Sequence, residues 1–411
     1  LEKPEADAHF CIMPWVHFHV TQNGTVSPCC QAPWQEEHSF GHVDKDSIET
    51  IWNNQKMREF RLNHLCGIPD TRCSRCYEKE ASGWISLRQI TNARFAHHFT
   101  EVPHTEEDGQ IAQKPVYFDL RFSNVCNFKC RICGPWSSSK WHKDAIELDM
   151  KSADSPAIHS SCADSEALFA QFEALIDGVE EMYFAGGEPL VMEEHYRILE
   201  LLIQHKRFDV RLFYNTNFSI LDYKQYDLIA LWKNFKHINL AVSLDASGVR
   251  GEYLRAEQDW AQTLANRRRI QEEVTQAEFM VSPTVYAMNV LHLPDFHREW
   301  VEAGLIHPED FIPTLLMEPA EYNIRVLPAE LKDAAREKIE AHLAWLETRR
   351  PQVQHNEKFT HALTQFRNIL VHMDSADHTH LLAQLAARTR ALDALRGEDF
   401  TQVFPELKGL V

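Results

Sequence analysis

The chain has 411 residues, 44% of them apolar, and a formal net charge of −18 from 42 basic and 60 acidic side chains. Such a length holds two or three domains, or one barrel-sized domain with an appendage. The charge repels phosphate backbones and sets nucleic acid aside as the main partner. No apolar run approaches the roughly 18 residues of a spanning helix, and no signal peptide opens the chain at Leu1, so the expectation is a cytoplasmic protein with no membrane partner.

Ten cysteines in such a chain point to metal or redox chemistry rather than to disulfides. Six lie before residue 77, in a stretch rich in turn residues: Cys11, Cys29, Cys30, Cys66, Cys73 and Cys76. The C-x2-C pair at Cys73 and Cys76, with cysteines upstream, suits a structural zinc knot or a fully ligated iron–sulfur cluster. Residues 97–114 read as a polar linker.

From residue 116 strand-like and helix-like stretches alternate. Strands are expected at 116–122, 180–187, 210–217, 237–247, 278–285 and 310–317. Helices are expected at 165–178, 193–206, 222–233, 257–273 and 294–303. Alternation of this kind implies parallel pairing through right-handed crossovers. Six units over about 200 residues are too few for a closed eight-stranded barrel and suit an open one. From about residue 328 the chain turns helical, at 328–350, 357–373 and 378–396, and these helices read as a cap without chemistry of their own. The basic run Arg267-Arg268-Arg269 reads as a solvated helix face.

The loop after the first of these strands, "SNVCNFKCRIC", carries Cys126, Cys130 and Cys133. Three thiolates can hold three irons of a cubane and leave the fourth open to an exogenous ligand; a zinc completed by a distant histidine or cysteine is the rival. Polar clusters follow the next three strands: "AGGEP" at 185–189, "NTN" at 215–217 and "SLDAS" at 243–247. In parallel α/β folds the carboxyl ends of strands are where ligands bind. Cys162 stands alone in a polar insert and reads as an unligated thiol.

The ordered set resembles the radical SAM superfamily, whose C-x3-C-x2-C loop matches Cys126, Cys130 and Cys133. The resemblance implies an α/β fold: a partial (β/α)6 TIM-like barrel over 115–327, followed by a helical extension over 328–411. It also implies S-adenosylmethionine (SAM) held by a [4Fe–4S] cluster and cleaved to a 5′-deoxyadenosyl radical that abstracts a substrate hydrogen atom. Ile132 stands where the family has an aromatic whose backbone meets the adenine. Gly186, Gly187 and Glu188 match the Gly-Gly-Glu-Pro segment at the methionine amino group. Asn217 fits the asparagine of the third strand, with Phe218 in place of the usual glycine. Ser243 and Asp245 sit where the family contacts ribose and carboxylate, and Arg255 resembles the arginine that pairs with the SAM carboxylate.

The front segment, 1–96, is similar to SPASM and twitch auxiliary-cluster domains: Cys11, a turn at Gly24, Cys29 five residues beyond, then Cys73 and Cys76. That similarity implies a second [4Fe–4S] cluster on Cys11, Cys29, Cys73 and Cys76, with Cys29 preferred to its neighbour Cys30 on the glycine spacing. Here the segment precedes the barrel, whereas in the resembled domains it comes after. The resemblance implies an oxidative transformation of a small metabolite or, as the runner-up, of a ribosomally made peptide, with a flavodoxin- or ferredoxin-type electron donor. A zinc protein that binds a nucleotide, or a two-cluster electron carrier, are the non-enzymatic alternatives. Tyr286, Asn289 and Arg325 are candidate substrate contacts, and no residue stands out as a catalytic acid or base.

Overall fold

The computed structural model describes residues 9–33, 35–81 and 83–411. The chain forms two compact units. The first comprises Leu1–Asn124, Ile158–Phe213 and Ala230–His237; the second comprises Val125–Ala157, Tyr214–Ile229 and Ile238–Val411.

In the first unit the strands β1 (His17–Val20), β2 (Thr25–Ser27), β3 (Gly41–His42), β4 (Tyr117–Leu120) and β5 (Glu181–Phe184) lie in the order β5-β4-β1-β2-β3. Pairing is parallel between β5 and β4 and between β4 and β1, and antiparallel from β1 through β2 to β3. The cysteine-bearing front segment therefore contributes a strand that pairs with the first strand of the alternating region, with His17 opposite Tyr117 and His19 opposite Asp119. The turn from β1 to β2 holds Gly24 at φ +84°, and a Cβ there would sit 2.0 Å from the Ser161 carbonyl oxygen, so only glycine fits.

Period-two alternation sorts the side chains of β4. Phe118 meets Phe172 edge-on at 5.3 Å and Phe122 stacks on Phe169 at 5.6 Å, burying one face under the helix Ser165–Glu173. Tyr117, Asp119 and Arg121 alternate with them, facing the other side. Asp164 caps that helix by accepting from the Ala167 N–H. The segment 97–114 packs closely: the Trp52 indole donates to the Gln113 carbonyl, Asn53 to Ile111, and the buried Arg61 guanidinium to Gly109.

The boundary between the units falls inside β6 (Arg211–Thr216). In place of one helix over 222–233, the chain makes a hairpin of β7 (Asp222–Tyr223) and β8 (Tyr226–Asp227), then a short helix, Leu228–Trp232. Lys224 at φ +51° supplies the reversal. In the second unit β9 (His237–Val242) pairs in parallel with β10 (Ala277–Val281). The expected fifth strand breaks at Ser282-Pro283 and resumes as β11 (Thr284–Val285), because proline has no N–H to continue a ladder. The sixth shrinks to β12 (Thr314–Leu315), parallel to β11. No sheet closes into a barrel among the described residues, and the α/β fold is that of a partial barrel. Helices Ala329–Arg349, Asn356–Asp374 and Leu382–Arg396 complete the chain's second half, as the helical pattern indicates. Among the described residues no helix is long and apolar enough to cross a membrane.

Burial of His17, with His19 beside it, lowers its pKa to about 3. The unfolded chain binds a proton at His17 below about pH 6.5 and the folded chain does not, so stability falls as pH drops from 6.5 toward 3. His17→Phe is expected to flatten this part of the profile, read as the urea midpoint against pH; an unchanged slope would contradict it.

Candidate metal centres

In the first unit, Cys11, Cys29, Cys73 and Cys76 line one cavity together with Arg72 and Arg88. Cys11 precedes the turn of helix Met13–Val16, Cys29 comes after β2, and Cys73 and Cys76 sit at the start of helix Ser74–Ala81. Cys30 is not among the lining residues; the charges acting on its thiol are those of Arg121 and Asp119 first, and then Cys76. Cys66 is exposed and Cys162 half-buried, both outside this cavity.

Burial pushes the Cys11 thiol up to about 12 and raises Cys29 and Cys73 as well, with neighbouring thiols adding to it. Cys11, Cys29 and Cys73 resist ionisation alone, which suits a metal centre whose positive charge deprotonates its ligands. The two arginines of the lining are each fixed by a carboxylate. Arg72 lies over the Phe60 ring at 4.3 Å and pairs with Asp70. Arg88 donates to the Phe10 carbonyl at 2.7 Å and pairs with Glu80. His64 Nε2 approaches Cys73 Sγ at 3.9 Å, and burial keeps that imidazole neutral with a pKa of about 4.

In the second unit, Cys126, Cys130 and Cys133 share one loop. The Cys133 N–H bonds to the Cys130 carbonyl at 3.0 Å, and the Trp141 indole donates to that carbonyl at 2.9 Å. The backbone N–H groups of Lys129 and Arg131 bond to the carbonyls of Ala256 and Leu254. The loop is thereby tied to the helix Gly248–Leu254 and to the turn at its carboxyl end. A hydrogen bond with the Cys133 side chain holds Cys130 below the usual thiol range, against burial and helped by Arg255, while Cys133 is pushed up. Arg255 Nη1 lies 3.7 Å from Cys130 Sγ, and its Nε 2.9 Å from Asp245 Oδ2. Burial opposes the Arg255 charge, but Asp245 and Cys130 outweigh it and the guanidinium stays charged.

The other expected contacts divide between the two units. Asp245 accepts from the Thr284 N–H through Oδ1, and its backbone carbonyl accepts from Asn289. Asn217 donates to Asn127, between the first two cysteines of the triplet, and accepts from the Ser219 N–H. Phe218 takes the left-handed backbone that favours glycine, at φ +59°, with its fully buried ring 5.3 Å from Phe279. That conformation costs about 1–2 kcal/mol, which burial of the ring offsets. The Ser243 N–H bonds to Thr216 and Ile132 is half-buried. In the first unit, Gly186 takes φ +121°, where a Cβ would come 3.4 Å from Arg121 Cβ. Gly187 is next along the chain, and Glu188, 1% exposed, caps the turn Pro189–Val191 by accepting from the Leu190 N–H. Asn289 holds Asp245, Arg325 packs on His372, and Tyr286 is fully buried.

The helical cap does take part. Arg131, between Cys130 and Cys133, is fully buried and pairs with Asp393 and Glu398, with Tyr253 under its guanidinium at 3.7 Å. Those carboxylates lie 262 and 267 residues away, beyond reach of any local pattern.

Residues 120–297 match the model of the radical SAM superfamily, and residues 11–77 match that of SPASM, an iron–sulfur cluster-binding domain. A curated relative, GTP 3′,8-cyclase of Campylobacter lari, is 28% identical over 127 residues, which are 31% of this chain and 34% of the relative, so the match spans about a third of that protein. Among solved structures, anSMEcpe with bound AdoMet aligns at 17% identity over 55% of this chain and 57% of that one, with a TM-score of 0.37. SuiB of Streptococcus suis bound to S-adenosylmethionine aligns at 12% identity over 72% and 62%, with a TM-score of 0.39. The radical SAM domain binds SAM and a [4Fe–4S] cluster, and the SPASM domain binds auxiliary iron–sulfur clusters. The chain thus carries a radical SAM domain with a SPASM domain ahead of it, each with its own set of gathered cysteines.

Proposed function

We propose that this protein is a radical SAM enzyme acting on a small metabolite in an oxidative transformation, with a flavodoxin- or ferredoxin-type protein as electron donor. The observation that carries the reading is the division of seven cysteines into two sets. Three share one loop in the second unit, and four surround one cavity in the first. When bound, the SAM-linked cluster supplies a 5′-deoxyadenosyl radical able to break an unactivated C–H bond, and the auxiliary cluster a further one-electron centre.

The chain's own residues have distinct tasks in this reading. Cys126, Cys130 and Cys133 are the ligands at three corners of the first cluster, with Arg255 offsetting the charge beside Cys130. Within the second unit, Asn217, Ser243, Asp245 and the backbone of Ile132 orient SAM. Cys11, Cys29, Cys73 and Cys76 hold the auxiliary cluster. The small-metabolite part draws on the matched relative, named for a reaction of GTP.

Material purified without oxygen is expected to hold about eight irons per chain and little zinc. It should release 5′-deoxyadenosine when given dithionite and SAM. Zinc in place of iron, or iron without SAM cleavage, would overturn the reading. Incubation with separate metabolite and peptide fractions, then mass spectrometry, should find a product two hydrogens poorer in the metabolite fraction. A product in the peptide fraction alone would move the substrate class. A product at the substrate's oxidation level, with SAM regenerated, would remove the oxidative part.

A further inference from the structure

Two histidines and an aspartate that the cysteine chemistry does not use are buried together in the first unit. His17 and His19, two apart on β1, share a face and are 3% and 2% exposed, with rings 6.0 Å apart at 15°. Asp119, opposite His19 in the β1–β4 register, is 1% exposed. One ligand atom from each of the three lies within 4.8 Å of the others. Two histidines and a carboxylate at such spacing can serve a transition metal or move a proton.

Arg121 decides between the two. Its Nε and Nη2 each reach one Asp119 oxygen at 3.0 Å, so both oxygens already face a guanidinium. A divalent ion on Asp119 would sit against that fixed positive charge. Burial disfavours the carboxylate, but Arg121 and His19 outweigh it and Asp119 stays ionised. Arg121 and His19 already engage the Asp119 oxygens, so only the two imidazoles are left to ligate a metal.

The contact within the dyad is short. His19 Nδ1 lies 2.8 Å from Asp119 Oδ2. A carboxylate in that position favours the Nδ1–H tautomer and leaves Nε2 with a free lone pair. Among the described residues of the first unit, none hydrogen-bonds to His19 Nε2. The site lies at the carboxyl ends of parallel strands, where α/β sheets bind ligands, and Arg121 at the end of β4 adjoins Gly186 of the Gly-Gly-Glu-Pro segment. The groups facing the dyad are His17 from β1, Tyr117 and Arg121 from β4, Tyr183 from β5 and Cys30 from the turn after β2.

We propose that His19 is a catalytic general base for the substrate, with Asp119 and Arg121 as positioning residues that fix its tautomer. His19 Nε2 takes a proton from a substrate C–H, N–H or O–H. The electron pair of that bond stays on the substrate, and the imidazolium formed is paired with Asp119. No electron leaves in this step. The substrate comes from the function proposed above, whereas the tautomer does not depend on it.

Two measurements test the assignment on the reconstituted holoprotein. Nitrogen-15 NMR of ring-labelled histidine is expected to find His19 protonated at Nδ1 and bare at Nε2, with Asp119→Asn moving it toward the other tautomer. An Nε2–H tautomer in the wild type would overturn the proposal. So would zinc or iron beyond the clusters' content that disappears in His17→Ala and His19→Ala. In the metabolite assay, His19→Ala should form product about 100-fold more slowly or worse, with partial rescue by added imidazole and none from a size-matched apolar additive. Wild-type turnover by His19→Ala would also overturn it, and if SAM cleavage itself fails, the NMR result still decides.

Discussion

Replacing Cys126, Cys130 and Cys133 together by alanine is expected to remove about half of the iron and to abolish 5′-deoxyadenosine release. The three cysteines share one loop in the second unit, and the other four gather in the first. Loss of the triplet therefore leaves the auxiliary set of thiols in place. The complementary variant, with Cys11, Cys29, Cys73 and Cys76 replaced, should lose the other half of the iron and still cleave SAM. Iron analysis with electron paramagnetic resonance of the reduced protein separates the two populations. Full iron in the triplet variant would show that those thiols hold no cluster.

The second large effect comes from far along the chain. Asp393→Asn with Glu398→Gln leaves the Arg131 guanidinium buried without a counter-ion, its Nη1 already lacking a partner among the described residues. Removing the partners of a buried charge costs on the order of 3–5 kcal/mol, and the strain falls on the backbone between Cys130 and Cys133. The double variant is expected to unfold at lower urea and to lose iron from the triplet while keeping the auxiliary share. Arg396 adds to the same brace, since its Nε reaches Asp144 at 2.8 Å and its guanidinium lies over Trp141, the donor to Cys130. A variant as stable and as iron-rich as the parent would remove the helix Leu382–Arg396 from any role in shaping the loop.

What could be read from residues alone was whatever depends on short spacing. The triplet, the Gly-Gly-Glu-Pro segment and the C-x2-C pair each lie within a few residues, and local turn chemistry dictates their shape. The alternation of strand and helix also survives, because periodicity records which face is buried. The short strands β11 and β12 and the hairpin at 222–227 escape it, since two residues carry no period and Lys224 gives no sign of a left-handed turn. The strand at 17–20 hides for another reason: it is buried on both faces, so it lacks alternation. The dyad of His19 and Asp119 needs that pairing and is invisible without it. Nothing in the loop's own spacing marks Arg131 as buried, because its carboxylates lie 262 and 267 residues away.

Pairing of β1 with β4 has a practical consequence for anyone dissecting this chain. A fragment starting at residue 97 would bare the flank of β4, leaving a row of open N–H and C=O groups beside buried Tyr117 and Phe118. Exposed flanks of that kind recruit other chains, so such a fragment would clump rather than report on the catalytic half by itself.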